Sequence, residues 1–153
     1  MIELMIEGKD GRKPMAFDAC VGVRSDHTGR ALEAIGITMS KQLCAKPVSV
    51  TVWPWDEVAA HWDDLTLRST LPRSGETYQQ GSVGGLRRPD DLLALYEERE
   101  GPAGDGTVMF CGTLPVPGGI RFADEMALEL EDPVLGRSLR HSYAIEPLPI
   151  AEA

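Results

Sequence analysis

Long apolar runs are missing from this chain. No segment approaches the roughly 20 residues needed to cross a bilayer, so no membrane span is expected. Cysteine is scarce: Cys20, Cys44 and Cys111 are odd in number and form no C-x-x-C pair. That usage fits reduced thiols better than a disulfide scaffold or a zinc site. Positive charge is also in deficit, with 15 Lys and Arg against 24 Asp and Glu, a net charge of −9. The short basic groups, Arg87-Arg88 and Arg137 to Arg140, sit beside acids and make no stripe that could displace counterions from phosphates. Nucleic acid is therefore not an expected partner. The N-terminal Met-Ile-Glu-Leu-Met-Ile-Glu carries no basic region leading into an apolar segment and a cleavage site, and a cytoplasmic protein is expected. Repeats, low-complexity tracts and long linkers are absent, so residues 1–153 read as one domain.

What the chain does have is many short β-prone segments. Ile2 to Glu7 and Met15 to Val23 read as a hairpin around Gly8-Lys9-Asp10-Gly11. Val48 to Trp53, Leu65 to Leu71, Glu76 to Ser82, Thr107 to Thr113, Glu125 to Glu131 and Ser138 to Glu146 read as further strands. In Glu125 to Glu131 the apolar residues Met126, Leu128 and Leu130 alternate with Glu125, Glu129 and Glu131, the mark of a half-exposed strand. Three segments read as helices. Ala31 to Met39 spaces Leu32, Ile35 and Met39 helically around Gly36, and Asp56 to Leu65 places Val58, Ala59, Trp62 and Leu65 on one side with Asp56 as cap. Pro89 to Arg99 has proline in the first turn, Asp90 and Asp91 where the helix dipole favours acids, and a Leu92, Leu93, Tyr96 face. The fold class is α+β, mainly β, with short helices at its rim. Residues 147–153 read as a frayed tail.

Chemistry concentrates in residues 22–47. There the apolar run Ala19 to Val23 delivers the chain to Asp26, His27, Thr28, Arg30 and Lys41. A strand ending in mixed-sign polar groups and turning into a short helix is a common way to build a site, and equally an ordinary solvated turn. His27 reads either as the nearest available general base, because its unperturbed pKa lies near neutrality, or as a hydrogen-bonded imidazole that orders the turn. His61 reads as structural, His141 has no assigned role, and Trp53, Trp55 and Trp62 read as one aromatic corner of the core.

Four ordered stretches carry a family likeness. They are Gly-Val-x-Ser-Asp-His-Thr-x-Arg-x-Leu-Glu (22–33), Ser-Lys-Gln-x-Cys-x-Lys-Pro (40–47), Met-Phe-Cys-Gly-Thr-Leu (109–114) and Glu-Leu-Glu-Asp-Pro-x-Leu-Gly-Arg (129–137). Together they resemble the fumarylacetoacetate hydrolase superfamily, most closely an uncharacterised branch of it. The resemblance implies a mixed β-sandwich roll like the C-terminal domain of fumarylacetoacetase, a homodimer, and a divalent metal, magnesium with manganese or calcium as alternatives. It implies a metal-dependent hydrolase or lyase acting on a small oxo- or enol-acid by carbon–carbon cleavage, decarboxylation or isomerisation. Carried over by residue, Glu3 and Asp26 would hold the metal, Arg30 and Lys41 would stabilise an enolate, and Gln80, Gly112 and Thr113 would touch substrate. Hard oxygen ligands suit such a cation, and fixed positive charge lowers a barrier most where an oxyanion grows.

Two departures stand beside this. Met1 falls where the family places a first metal-binding acid, and a thioether is a poor ligand for a hard cation. Glu33 falls where a glutamine donates to the oxyanion. The chain resembles an N-terminally shortened form, so a catalytically silent paralogue that binds a small acid or joins a longer partner is the alternative expectation. A gene product whose full form starts upstream is a third.

Overall fold

The fold, a computed structural model, describes residues 18–147 and the backbone path of residues 2–7. The turn at 8–11, the start of the second strand at 15–17, the Glu3 side chain and the tail from 148 onward lie outside the described residues.

Among the described residues, eight strands form two four-stranded antiparallel sheets. The first sheet joins β1 (Ile2–Glu7), β2 (Asp18–Val23), β3 (Trp53–Pro54) and β6 (Val108–Gly112) in the order β3-β2-β1-β6. The second joins β4 (Thr66–Leu71), β5 (Glu76–Ser82), β7 (Glu125–Asp132) and β8 (Arg137–Ala144) in the order β5-β4-β7-β8. Mostly antiparallel strands with a few short helices match the fold class expected from the sequence. The β1–β2 hairpin forms in the register Ile2 opposite Val23.

Alternation explains which faces meet. Leu67, Ser69 and Leu71 of β4, Met126, Leu128 and Leu130 of β7, and Leu139 of β8 point inward and are buried. Val21 and Val23 of β2 meet them in one cluster that continues through Val58, Trp62 and Leu65. Each fully buried Val or Leu there contributes about 1.5–3 kcal/mol relative to an exposed one. Polar side chains of β4, β7 and β8 take the other face, where Arg68, Thr70, Glu129, Arg140 and Ser142 line a solvated hollow of about 370 Å³.

The helices depart most from expectation. The segment expected as one helix over 31–39 is two, α1 (Arg30–Glu33) and α2 (Ile37–Gln42). Gly36 between them is fully extended, at φ −177° and ψ 127°, which a continuous helix does not tolerate. The segment expected over 56–65 begins earlier, as α3 (Trp55–Val58), and tightens into a 3₁₀ turn over Ala59–Asp64 with non-helical angles at His61. Its N-cap is Pro54 with no side-chain cap bond, so Asp56 is a first-turn acid rather than the cap. The strand expected over 48–53 shrinks to Trp53–Pro54 and one isolated bridge, Arg24 to Val48. The last helix, α4 (Pro89–Glu100), forms as expected: Pro89 opens it, Asp90 and Asp91 fill its first turn, and Gly101 ends it at φ 88°. The three tryptophans divide: Trp55 and Trp62 meet edge to face at 5.4 Å, whereas Trp53 carries the Arg137 guanidinium over its ring.

Candidate functional site

Where β2 ends, the backbone bends the cluster together. Ser49 N–H donates to Val23 O at 2.9 Å and Ser25 N–H to Pro47 O at 3.1 Å, so residues 23–25 lie antiparallel to 47–49. Gly22 permits this approach, since a Cβ there would meet Ser49 Oγ at 2.9 Å. The pairing returns Lys46 to the side of residues 26–27, and Gly29 N–H, bonded to Ser40 O at 2.8 Å, holds α2 over the same turn.

Asp26 is the hub. Lys41 Nζ donates to its Oδ2, and Lys46 Nζ lies 3.1 Å from its Oδ1, with the carboxylate 12% exposed. Burial pushes the Asp26 carboxyl up, but the hydrogen bonds and charges of Lys41 and Lys46 outweigh it and hold it below its ordinary value. The Lys46 ammonium also donates to His27 O and Lys41 O, each at 2.6 Å, so its three protons have three acceptors.

His27 turns the other way, toward the second sheet. Its Nε2 is 2.8 Å from Tyr143 Oη on β8, and His141 stacks on the same phenol at 5.7 Å between ring centroids. Burial, then the nearby Lys46 charge, lowers the His27 pKa against the opposing pull of Asp26. Both effects favour the neutral imidazole. Burial likewise raises the Tyr143 phenol.

The structure thus gathers Asp26, His27 and Lys41, and adds Lys46, Tyr143 and His141. Lys46 lies inside the 40–47 stretch, beside Pro47. The sequence assigns it no role of its own. Tyr143 shares the inward alternation of Leu139 and His141, but nothing in the sequence pairs it with residue 27.

Other expected residues stand apart. Arg30 Nη1 pairs with Glu33 Oε2 at 2.7 Å on the exposed face of α1, an ordinary i,i+3 contact. Gln80 is exposed and opposite Arg68, on the outward face of β5. Its neighbour Gln79 turns inward and donates to Thr113 Oγ1 at 3.1 Å and to Leu114 O. Gly112 takes φ 133°, where a Cβ would also come within 3.2 Å of Leu86. In register, Ile2 lies opposite both Val23 and Gly112, which puts Gly112 and Thr113 at the same end of the first sheet as Asp26, two strand spacings or about 10 Å across. Glu3 lies one residue on, opposite Gly22 and Phe110.

As a metal site this donor set is a poor fit. A divalent ion at Asp26 would have to displace two ammonium groups, and the described residues hold no group of three or more His, Cys, Asp or Glu. Calorimetric titration with magnesium, manganese and calcium is expected to give only heats of dilution. A saturable isotherm that disappears in Asp26→Ala would restore the metal reading.

A family model described as Protein of unknown function (DUF2848) matches residues 15–143. The chain belongs to that family. This corrects the expectation of a fumarylacetoacetate hydrolase superfamily member. The four stretches that suggested it fall on the end of β2 with α1, on the end of α2 with the loop after it, on β6, and on the β7–β8 turn. No curated protein and no solved structure matches the chain. Membership of DUF2848 carries no reaction with it, so the chemistry rests on the cluster around Asp26. No helix among the described residues is long and apolar enough to cross a membrane.

Proposed function

We propose that the cluster is an active site for a small oxo- or enol-acid. The single observation behind this reading is His27, an imidazole whose Nε2 lies 2.8 Å from a phenol, whose neutral form burial favours, and which adjoins in sequence a carboxylate held by two ammonium groups. A neutral imidazole accepts a proton; ammonium groups beside it favour the anion that remains. In the proposed step His27 takes a proton from the carbon next to the substrate's keto group. The C–H electron pair becomes the enolate double bond, and negative charge collects on the former keto oxygen near Lys41, which is 36% exposed and able to meet a ligand. Return of the proton to another carbon completes an isomerisation. In carbon–carbon cleavage His27 instead takes a proton from a water that adds to the keto carbon. The C–C pair leaves as an enolate, and the protonated imidazole returns that proton to the enolate carbon. In decarboxylation the C–C pair becomes the enolate as CO2 leaves, and solvent water supplies the proton.

Oxaloacetate and acylpyruvates are the substrates to screen, by loss of enol absorbance. Turnover is expected with at least one, reduced about 100-fold or more in His27→Asn, the usual scale for a lost general base. Turnover unaffected by His27→Asn and Lys41→Met would defeat the proposal.

A second reading has its own support. Lys41 and Lys46 both face Asp26, and Arg30 faces Glu33, so the cluster's cations are already paired within the chain. That is what a binding module without turnover would need to hold its shape. Saturable binding of the same acids, with no product after prolonged incubation, would favour it.

A further inference from the structure

Lysine is rare in this chain, with four lysines against eleven arginines, yet two of the four meet on one carboxylate. Among the described residues, every other ion pair takes its cation from arginine or from His61. Arginine is also the better partner for a carboxylate, since its planar fork binds both oxygens at once. What lysine has and arginine lacks is a nitrogen that bonds to a carbonyl carbon. The two lysines at Asp26 are not equivalent. Lys46 is 19% exposed, and its three protons are taken by Asp26 Oδ1, His27 O and Lys41 O. Lys41 Nζ has one described acceptor, Asp26 Oδ2, and its side chain is 36% exposed, which leaves the rest of that nitrogen for water or a ligand. Lys46 is thus a fixed second cation on the same carboxylate, the setting in which a neighbouring lysine amine is activated as a nucleophile.

We infer that Lys41 is a nucleophile that forms an imine with the keto carbon of a β-oxo acid, the covalent route to its decarboxylation. This rests on the oxo-acid reading above and narrows it. Lys41 gives one proton to solvent and, as the free amine, adds to the keto carbon. Its two remaining hydrogens and the keto oxygen leave as water, and a C=N bond replaces C=O. Protonated by solvent, that nitrogen draws electrons more strongly than an ammonium beside a keto oxygen, because its charge lies within the reacting π system. The C–C pair to the carboxylate moves into the enamine double bond as CO2 leaves. Solvent water then supplies a proton to the enamine carbon, and another water hydrolyses the imine and frees Lys41 as its ammonium. One oxo acid and one proton give one shorter keto acid and one CO2. Asp26 Oδ2, already bonded to this nitrogen, is the counter-ion of the iminium. One carboxylate against two cations leaves one positive charge over, which suits a substrate with a second carboxylate that it keeps.

Sodium cyanoborohydride added to the wild type with pyruvate tests this, because it reduces an imine to a stable amine. Intact mass is expected to rise by that of pyruvic acid less one oxygen, and peptide mapping to place the adduct on Lys41. Lys41→Arg keeps the charge and is expected to lose the adduct, with circular dichroism to check that it folds. Wild type unfolded in urea is the second measurement, and there the four lysines are expected to label alike. Label spread evenly over the lysines of the folded protein, or no label, would overturn the inference. Oxaloacetate turnover without a trapped adduct would overturn it too, and would leave the enolate reading standing. An adduct on Lys41 without turnover would uphold the imine and count instead against the active-site reading.

Discussion

Replacing Asp132 with alanine is expected to cost about 3–5 kcal/mol, the scale for breaking a buried charge pair by removing one partner. The carboxylate is fully buried at the end of β7. Its Oδ1 accepts from Val134 N–H at 3.1 Å and Leu135 N–H at 3.0 Å and lies 3.0 Å from His61 Nε2. Its Oδ2 accepts from Arg137 Nε at 3.2 Å. Arg137 continues to Glu57 Oε2 at 2.5 Å and covers the Trp53 ring at 4.4 Å. One side chain therefore ties the β7–β8 turn to the 3₁₀ segment and, through Arg137, to the first sheet. Native domains hold only about 5–15 kcal/mol in total, so the variant should melt at much lower urea.

The pH dependence has a definite sign. Burial pushes the Asp132 carboxyl up, but hydrogen bonds from Leu135, His61 and Arg137 outweigh it and bring it below its ordinary value. A depressed carboxyl stabilises fully above its unfolded value of about 3.9, and that contribution is lost as pH falls through the lower folded value. Urea unfolding of wild type and Asp132→Asn should therefore differ most near neutrality and converge below about pH 4. A difference that stays constant to low pH would mean the charge is not what stabilises this corner.

Lys46→Met is expected to cost about 2–4 kcal/mol, since it leaves two backbone carbonyls and one carboxylate oxygen without their donor at once. Lys46 is 19% exposed, so water replaces little of what it supplies. The ammonium joins residue 27 on the turn to residue 41 on α2, and no other described contact links those two backbones through one group. Arginine is expected not to rescue, because a planar guanidinium cannot aim three donors around one nitrogen. Faster amide exchange should appear first over residues 25–46, ahead of the sheets. Exchange that rises uniformly, or a stability loss below about 1 kcal/mol, would assign Lys46 an ordinary surface role.

The strands were largely legible in the residues. Alternation in 125–131 states which face is apolar, and a strand with one apolar face has one way to point. The last helix was legible from Pro89 and its first-turn acids. The 31–39 segment was not: its spacing of Leu32, Ile35 and Met39 is helical, yet the helix breaks at Gly36 and leaves Ile35 and Met39 in water. Periodicity says which residues share a face, not whether a partner within the chain covers it. Gln80 fell to a related limit. Neighbouring strand residues face opposite ways, and a bulge between Ser69 and Thr70 decides that Gln79, not Gln80, reaches Thr113.

By itself the sequence determined a mainly β, acidic chain and the stretch where its polar chemistry lies, because composition and alternation act locally. Only the tertiary structure decided what that chemistry is. Asp26 became an anchor for two lysines, and His27 found a phenol 116 residues away, because β2 packs against β7 and β8. Contacts between sheets depend on how two surfaces meet, and no local pattern along the chain encodes that.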